Sequence, residues 1–512
     1  MAHGDFSYTA PASLVCDTII VSMIGHFFAE VLAIIFGFIR SVVEIFIQAL
    51  QSAQGIFILA LLVAVVGSTF AFLSPDLTFL GVPGLVHISD LSGISLYALF
   101  TGILTSLLYL FLSLWWLWLF FLLFEPTRQL WIHWRQELFK AGTKWILWEL
   151  RMPRLVTQTP EAMDQVFASL HALRNSAGNL AETYIDGEIT RWFTFEMVSF
   201  AGEVKFYLRA YSKQKDLIES AFFSYYPDVE MVVVTDDYLN KMPKNMTDMY
   251  AQNLDIWGSE MSLTKEEAYP IKTYPNFETP DPEKRLDPIS TFLELLGKLK
   301  PGEFVGIQFL LAPADKSWFK KYSDLIKKLK KPEEDKQDEK TGKFSFNIRT
   351  PGETEVLEAV EHNLSKPAFD TVIRFLYYSP KESYLDTFPR RGITGAFNQY
   401  GLLDLNSFGR NEGMSTRAQV WDYPHIFPAI RTEYRKQRLL QLYRDREIPP
   451  ETSWGKWYVS HPFNSGRHTR FFKLNTEALA TLFHPPTEFV LTAPHVKRVE
   501  SRKAGAPAGL AI

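Results

Sequence analysis

Few residues of this chain stand at spacings that could do chemistry. His461 and His468 lie seven apart in a loop-like stretch and would need other ligands beside them to hold a metal ion, because a single cysteine, Cys16, rules out a cysteine-based zinc site. Ordinary surface histidines are the plainer reading. Lys340-Thr341-Gly342-Lys343 is the nearest approach to a phosphate-cradling loop, but Phe344 stands where a hydroxyl is needed and the upstream glycine is missing. No HExxH, GxSxG or CxxC pattern occurs. His26 with Glu30, and Arg40 with Glu44, are spaced to pair across one helical turn, and a proton path through Glu30 would use such a pair. Lys320, Lys321, Lys327, Lys328, Lys330 and Lys331 could meet phosphates, yet they sit among acids as a solvated helix face does. A second basic set, Arg431, Arg435, Lys436, Arg438, Arg444 and Arg446, lies on a helix expected over Ile426 to Arg446. The aromatics Trp192, Phe193, Phe195, Phe206 and Tyr207 resemble a base-stacking sheet, although core and edge packing explains them more simply. The pattern therefore predicts no catalytic residue, no cofactor site, no metal site and no enzyme.

The elements that would carry these residues fall into two regions. A net charge of −4 over 512 residues blends an almost charge-free first quarter with a charged remainder. One cysteine leaves no disulfide within the chain and is compatible with a reducing compartment. The amino terminus lacks the pattern of a cleaved signal peptide, so it is expected to be retained.

Residues 54–73 and the 31 residues Ile94 to Phe124 are uncharged and long enough to span a bilayer. The linker Ser74 to Gly93 holds Asp76 and Asp90 but no Lys or Arg, whereas Arg128, Arg135, Lys140, Lys144, Arg151 and Arg154 follow the second segment. By the positive-inside rule this predicts a transmembrane hairpin over 54–124 with its loop outside and residues 126–512 in the cytoplasm. The expected localisation is the inner membrane, multi-pass, with the lipid bilayer as a partner. In residues 1–53, Ser22, His26, Glu30, Arg40, Ser41, Glu44 and Gln48 share one face of the stretch Leu14 to Gln51. Two readings compete: an amphipathic interfacial helix, or a spanning helix whose polar stripe packs on neighbours or on a second copy in a homo-oligomer. Residues 125–154 form a basic, Trp-rich juxtamembrane region, with Leu130 to Leu150 read either as an interfacial helix or as one whose Trp145 and Trp148 fill a core.

The remainder reads as α+β, in two ferredoxin-like units. Residues 155–237 carry a helix Pro160 to Leu173 with Thr159 as N-cap, a hairpin of Arg191 to Phe200 and Glu203 to Tyr211 around Ala201-Gly202, a helix Asp216 to Tyr225 and a short buried-type strand Val229 to Thr235. Residues 238–287 form a Pro-rich linker. In 288–424 the pattern partly recurs, with a strand from Phe304 to Leu311, a mixed-charge mobile tip over Lys331 to Lys343, and a strong strand from Phe369 to Ser379. Residues 425–496 read as a helical and loop segment, and 497–512 as a flexible tail.

Three stretches, WELRMPRLVTQTPEAMDQVFASLHAL, FTFEMVSFAGEVKFYLRA and DLIESAFFSYYPDVEM, resemble the membrane-proximal domain preceding the motor in proteins related to bacterial type IV secretion and conjugative DNA-transfer ATPases. DPISTFLELLGKLKPGEFVGIQFLLAP, GAFNQYGLLDLNSF and FKLNTEALATLFHPPT are similar in the same way. In that family a segment like RVESRKAGAPAGLAI leads to a P-loop domain, which this sequence does not contain, so ATP hydrolysis is carried over to no residue. The resemblance implies a non-catalytic inner-membrane scaffold or docking subunit that works with a separate motor ATPase. The alternative is an independent membrane-anchored binding protein for nucleic acid or a cell-envelope partner.

Overall fold

A computed structural model describes residues 115–487, with 104, 105 and 108, apart from gaps at 154–155, 278–285, 316, 331–349, 386, 423–424, 453–454 and 457–468. The chain divides into two compact units, 1–133 with 451–465 and 134–450 with 466–512. The elements in order are α1 (Trp115–Gly142), β1 (Trp145–Arg151), α2 (Pro160–His171), β2 (Phe193–Phe200), β3 (Glu203–Tyr211), α3 (Lys215–Tyr225), β4 (Glu230–Val233), α4 (Met246–Ala251) and β5 (Leu254–Leu263). There follow α5 (Ser290–Gly297), β6 (Phe304–Pro313), α6 (Trp318–Lys321), α7 (Ser323–Lys330), α8 (Pro351–Ser365), β7 (Ala368–Pro380), α9 (Thr394–Asn398), β8 (Phe408–Asn411), α10 (Pro428–Asp445), β9 (Phe472–Asn475) and α11 (Thr476–Leu482).

In the first unit the described residues are chiefly the start of α1, where Leu119, Phe120, Leu122, Leu123, Phe124, Leu130 and Trp131 are exposed and Arg128 Nε donates to Glu125 at 2.7 Å. The predicted span 54–73, the stretch Leu14 to Gln51 and most of Ile94 to Phe124 lie outside the described residues. Among the described residues no helix is long and apolar enough to cross a membrane. The apolar run is continuous there only from Trp115 to Phe124, about 15 Å of helix, half the thickness of a bilayer core, before α1 takes in Glu125, Pro126 and Arg128. The membrane hairpin and the multi-pass inner-membrane localisation are corrected accordingly. The helix expected over Leu130 to Leu150 also stops early: α1 ends at Gly142, and Trp145 to Arg151 form β1, with Trp148 fully buried.

The second unit is built on one nine-stranded sheet in the order β4-β1-β3-β2-β6-β7-β5-β8, with β9 on β7. This replaces the two expected ferredoxin-like units. Their boundary is closed by β2 and β6, which pair antiparallel from Phe193 opposite Leu311 to Phe200 opposite Phe304. Both strands are buried along nearly their whole length, so neither sequence suits a solvent-facing edge. The 13-residue strand β7 pairs with β6 on one side, and on the other with β5 over its last residues and β9 over its first. β5 itself comes from the stretch read as a linker.

Several local expectations are met. α2 opens with Pro160 after Thr159. The β2–β3 hairpin turns at Ala201 (φ 50°) and Gly202 (φ 90°), the left-handed pair that a tight two-residue turn requires. The strand expected over Val229 to Thr235 is β4, a four-residue edge rather than a buried strand.

One face of the sheet, with Trp148, Phe195, Phe206, Ile307, Phe309 and Phe375, is covered by α2, α3, α5, α9 and α11 through Phe167, Phe222, Phe292, Phe397 and Leu479. The other face packs Val198, Tyr207, Phe304 and Leu376 against Met249 of α4 and Leu439, Leu440 and Tyr443 of α10. A separate cluster joins α6, α7 and α8 through Trp318, Tyr322, Ile326, Leu357 and Val360.

Candidate functional site

Each of the central strands carries a single charged or amide side chain at one level, and the register aligns them into a row. Across the sheet, Glu149 stands opposite Tyr207, Tyr207 opposite Glu196, Glu196 opposite Gln308, Gln308 opposite Arg374, Arg374 opposite Glu260, and Glu260 opposite Asn411. Glu196, Gln308, Arg374 and Glu260 are buried. An isolated buried charge is costly, so such a row persists only if its members satisfy one another.

The C-terminal end of α10 completes it. Gly306 and Gly258 lie on the neighbouring row, and a Cβ there would come within 1.8 Å of Tyr443 Oη and 2.5 Å of Leu439 Cδ2, so the two glycines let the helix approach the strands closely. The last carbonyls of a helix have no partner within it. Here Arg374 Nη1 donates to Leu442 O at 2.7 Å and Gln308 Nε2 to Tyr443 O at 3.0 Å. Arg446, the left-handed residue that ends the helix (φ 51°), turns its guanidinium back onto the row. Its Nε donates to Glu196 Oε1 at 2.5 Å and its Nη1 to Asp237 Oδ2 at 2.5 Å. Arg374 holds Glu260 through Nε at 3.0 Å and Nη2 at 2.8 Å, and Thr469 Oγ1 donates to the same oxygen at 2.9 Å. From α1, Lys140 reaches Glu447 at 3.0 Å.

Burial works against the Arg446 charge, but Glu196 and Asp237 outweigh it and hold its pKa well above the ordinary range. Burial likewise would raise Asp237, and the hydrogen bonds and charge of Arg446 bring it below the usual carboxylate value. Arg209, whose guanidinium lies 4.0 Å over the Trp145 ring, is pushed down to about 9 by burial and then by the nearby Arg446 charge, and stays ionised at neutral pH. Both oxygens of Glu196 and Oε1 of Glu260 are held by guanidinium donors, so the arrangement acts as a clamp between sheet and helix. Glu260 Oε2, Gln308 Oε1 and Thr194 Oγ1 are buried without a partner among the described residues, each a local cost of about 1–3 kcal/mol.

A second buried cluster lies on the other face. Asp287 accepts from His484 Nε2 at 2.9 Å, from Thr487 N at 2.9 Å and Oγ1 at 2.7 Å, and from Ile289 N at 3.0 Å, which ties the start of α5 to the segment after α11. An Asp–His pair is part of a nucleophile triad, but here the second ring nitrogen faces Ala480 O at 2.7 Å instead of a hydroxyl or thiol. Burial alone would raise the Asp287 carboxyl; the His484 charge and the Thr487 donors prevail and lower it to about 2. A carboxyl whose folded value lies below its unfolded value of about 4 adds stability that is complete above that pH and lost as pH falls towards 2. Wild-type protein is expected to lose about 2–3 kcal/mol on that limb from this group, and Asp287→Asn, measured by urea unfolding from pH 5 to 2, to show a shallower acid limb; identical slopes would remove Asp287 from the account.

α10 presents a different surface at its N-terminal end. Val420, Trp421, Ile426, Phe427 and Ile430 are all exposed, Trp421 at 74%. Described residues of the loop before the helix are nonetheless tied to it. Arg431 Nη1 donates to Asp422 O at 3.0 Å, Arg435 Nη1 to Arg417 O at 2.8 Å, and Ala418 N to Thr432 Oγ1 at 3.1 Å. His425 (φ 65°) and Phe427 (φ 45°) are held in the left-handed region, at a cost of order 1–3 kcal/mol each.

Of the residues singled out by sequence, His461, His468, Lys340 to Lys343, His26, Glu30, Arg40 and Glu44 lie outside the described residues. Trp192, Phe193, Phe195, Phe206 and Tyr207 are core residues. The basic set on α10 is turned inward: Arg431, Arg435 and Arg446 are buried, Arg444 Nη1 grips Leu239 O at 2.7 Å, and Lys436 pairs with Asp255 at 2.7 Å. On α7, Lys327 pairs with Asp324 at 3.1 Å, as a solvated face does. Among the described residues no group of three His, Cys, Asp or Glu is placed to hold a metal. Glu196, Glu260, Gln308 and Arg374 were not singled out, although Glu196 and Gln308 are the lone charged or amide residues of β2 and β6.

Residues 135–406, just over half of the 512, match a family described as a domain of unknown function, DUF8128. The chain belongs to this family. The DUF8128 match begins in the last turns of α1 and stops just before β8, so it takes in the row from Glu149 to Arg374 and Glu260, while α10 and Arg446 lie beyond it. No curated protein matches the chain.

Proposed function

We propose that the chain is a non-catalytic scaffold or docking subunit of a type IV secretion or conjugation-like transfer machine, working with a separately encoded P-loop motor ATPase. The observation that supports docking is the apolar surface of Val420, Trp421, Ile426, Phe427 and Ile430 on a loop that Arg431 and Arg435 hold in place. Large apolar side chains grouped on a fixed, strained loop mark interaction sites, and tryptophan is the residue most enriched where binding energy concentrates. The sequence resemblance suggests a motor ATPase as the partner of this surface. The inward turn of Arg431 and Arg435 favours this reading over a nucleic-acid interface on α10, since both guanidiniums already hold loop carbonyls.

Affinity purification of the native chain from its own cells is expected to recover a P-loop ATPase. Trp421→Asp with Ile430→Glu is expected to lower that recovery about tenfold or more while the fold survives, as removal of one central aromatic anchor does at other interfaces. Recovery of no P-loop ATPase, or equal recovery by the variant, would sink the proposal.

A further inference from the structure

The sheet ends at β8 on one side and at β4 on the other. After β8 the chain bonds on to β5, with Thr416 N donating to Gly258 O at 3.0 Å. Among the described residues the edge at β4 is open. Val234 N donates inward to Leu147 O at 2.8 Å, and Val232 stands opposite Glu149, so the antiparallel alternation turns the N–H and C=O of Met231 and Val233 outward. No hydrogen bond to these outward groups is found among the described residues. Val233 is exposed, and α3, which leads through Tyr226 and Pro227 straight into β4, exposes Leu217, Phe223 and Tyr225. The flanks of the edge carry Asp228, Glu230 and Asp236, all exposed. Among the described residues, Arg151 pairs with Glu230 at 3.6 Å.

We propose that the free edge of β4 is a docking site for an extended basic segment of a partner protein, which adds to the nine-stranded sheet as a further strand. Strand addition takes its affinity from the main-chain groups of an unpaired edge and its selectivity from side chains that alternate along the guest. Outward pairs at Met231 and Val233 supply the main-chain groups. Exposed Val233 and the apolar residues of α3 suit a guest with apolar side chains at alternate positions, and the acids select basic residues between them. The same acids oppose a second copy of the chain, because two β4 edges laid together would bring Asp228, Glu230 and Asp236 against their own kind. This site is distinct from the apolar surface on α10 and stands whether or not the partner is a motor ATPase.

The test uses the full chain and a fluorescent synthetic peptide of about nine residues alternating lysine and valine, followed by anisotropy, with a glutamate–valine peptide as control. The lysine peptide is expected to bind and the glutamate peptide to fail. Val233→Pro removes one outward N–H, leaves the inward ladder intact as edge prolines do, and is expected to weaken binding ~10-fold or more. Asp228→Lys with Glu230→Lys and Asp236→Lys should weaken it at least as much, and since all three are exposed, this variant keeps the test open if Val233→Pro misfolds by circular dichroism. Equal binding of both peptides, undiminished binding by either variant, or no binding by the wild type overturns the proposal. So does a dimer in sedimentation that Val233→Pro dissolves, which would assign the edge to a second copy.

Discussion

Arg374→Met is expected to destabilise the protein by about 3–5 kcal/mol, far more than the loss of one ordinary contact. The guanidinium is fully buried and makes four hydrogen bonds: two to Glu260 Oε1, one to Leu442 O and one to Glu447 O. Methionine fills much of the volume but leaves the buried Glu260 side chain with Thr469 as its remaining donor, and takes the side-chain donor from Leu442 O at the end of α10. The cost is therefore that of a stranded charge, not of a lost attraction. Adding Glu260→Leu removes the stranded charge, and the double variant should recover most of the loss, because buried ion pairs replaced whole by apolar side chains are often close to neutral. Urea midpoints at constant slope report both numbers. A single variant within about 1 kcal/mol of wild type, or a double variant no better than the single, would show that the row does not hold α10 to the sheet.

The physical basis of that clamp explains what the sequence made visible and what it hid. Local signals sufficed where one short stretch decides the outcome: Thr159-Pro160 opens α2, Ala201-Gly202 turns the β2–β3 hairpin, and the apolar run from Phe369 to Ser379 is β7. β5 escaped notice because Asp255, Gly258, Ser259, Glu260 and Ser262 interrupt its apolar pattern and prolines follow it, so it reads as linker; its place beside β7 supplies the partners that make those residues tolerable. The single sheet escaped notice because the pairing of β2 with β6 joins residues more than a hundred apart in sequence, and no local pattern encodes it. The charged row has the same origin. One or two charged or amide residues in a strand look like noise strand by strand, and only register brings Glu196, Gln308, Arg374 and Glu260 into line. The arginines of α10 misled in the opposite sense: helical periodicity displays them as a basic face, yet burial depends on what packs there, and Arg431, Arg435 and Arg446 face protein carbonyls and carboxylates.

Gly306→Ala should be nearly as damaging as the loss of Arg374, although it adds one methyl group. The added carbon would lie 1.8 Å from Tyr443 Oη, 2.7 Å from its Cζ and 2.9 Å from Phe304 Cζ, distances that no relaxation of a single bond can relieve. Tyr443 cannot swing aside freely, because its hydroxyl is bonded to Tyr238 Oη at 3.0 Å, it packs edge-on against Phe304, and its carbonyl accepts from Gln308. The helix end must therefore lift, and lifting it strains the contacts of Arg374 and Arg446 with the row beneath. Overpacking of this kind costs about 1–3 kcal/mol and more where a network moves with it. Tyr443→Leu removes the obstructing atoms, so in the double variant Gly306→Ala should cost much less than it does alone, a coupling of about 1 kcal/mol or more in a double-mutant cycle. Additive effects would mean that β6 tolerates a side chain at this position and that the glycine has no part in seating α10. Strong coupling, together with an Arg374 effect that weakens in the Gly306→Ala background, would show that close helix approach and charge pairing are one structural device.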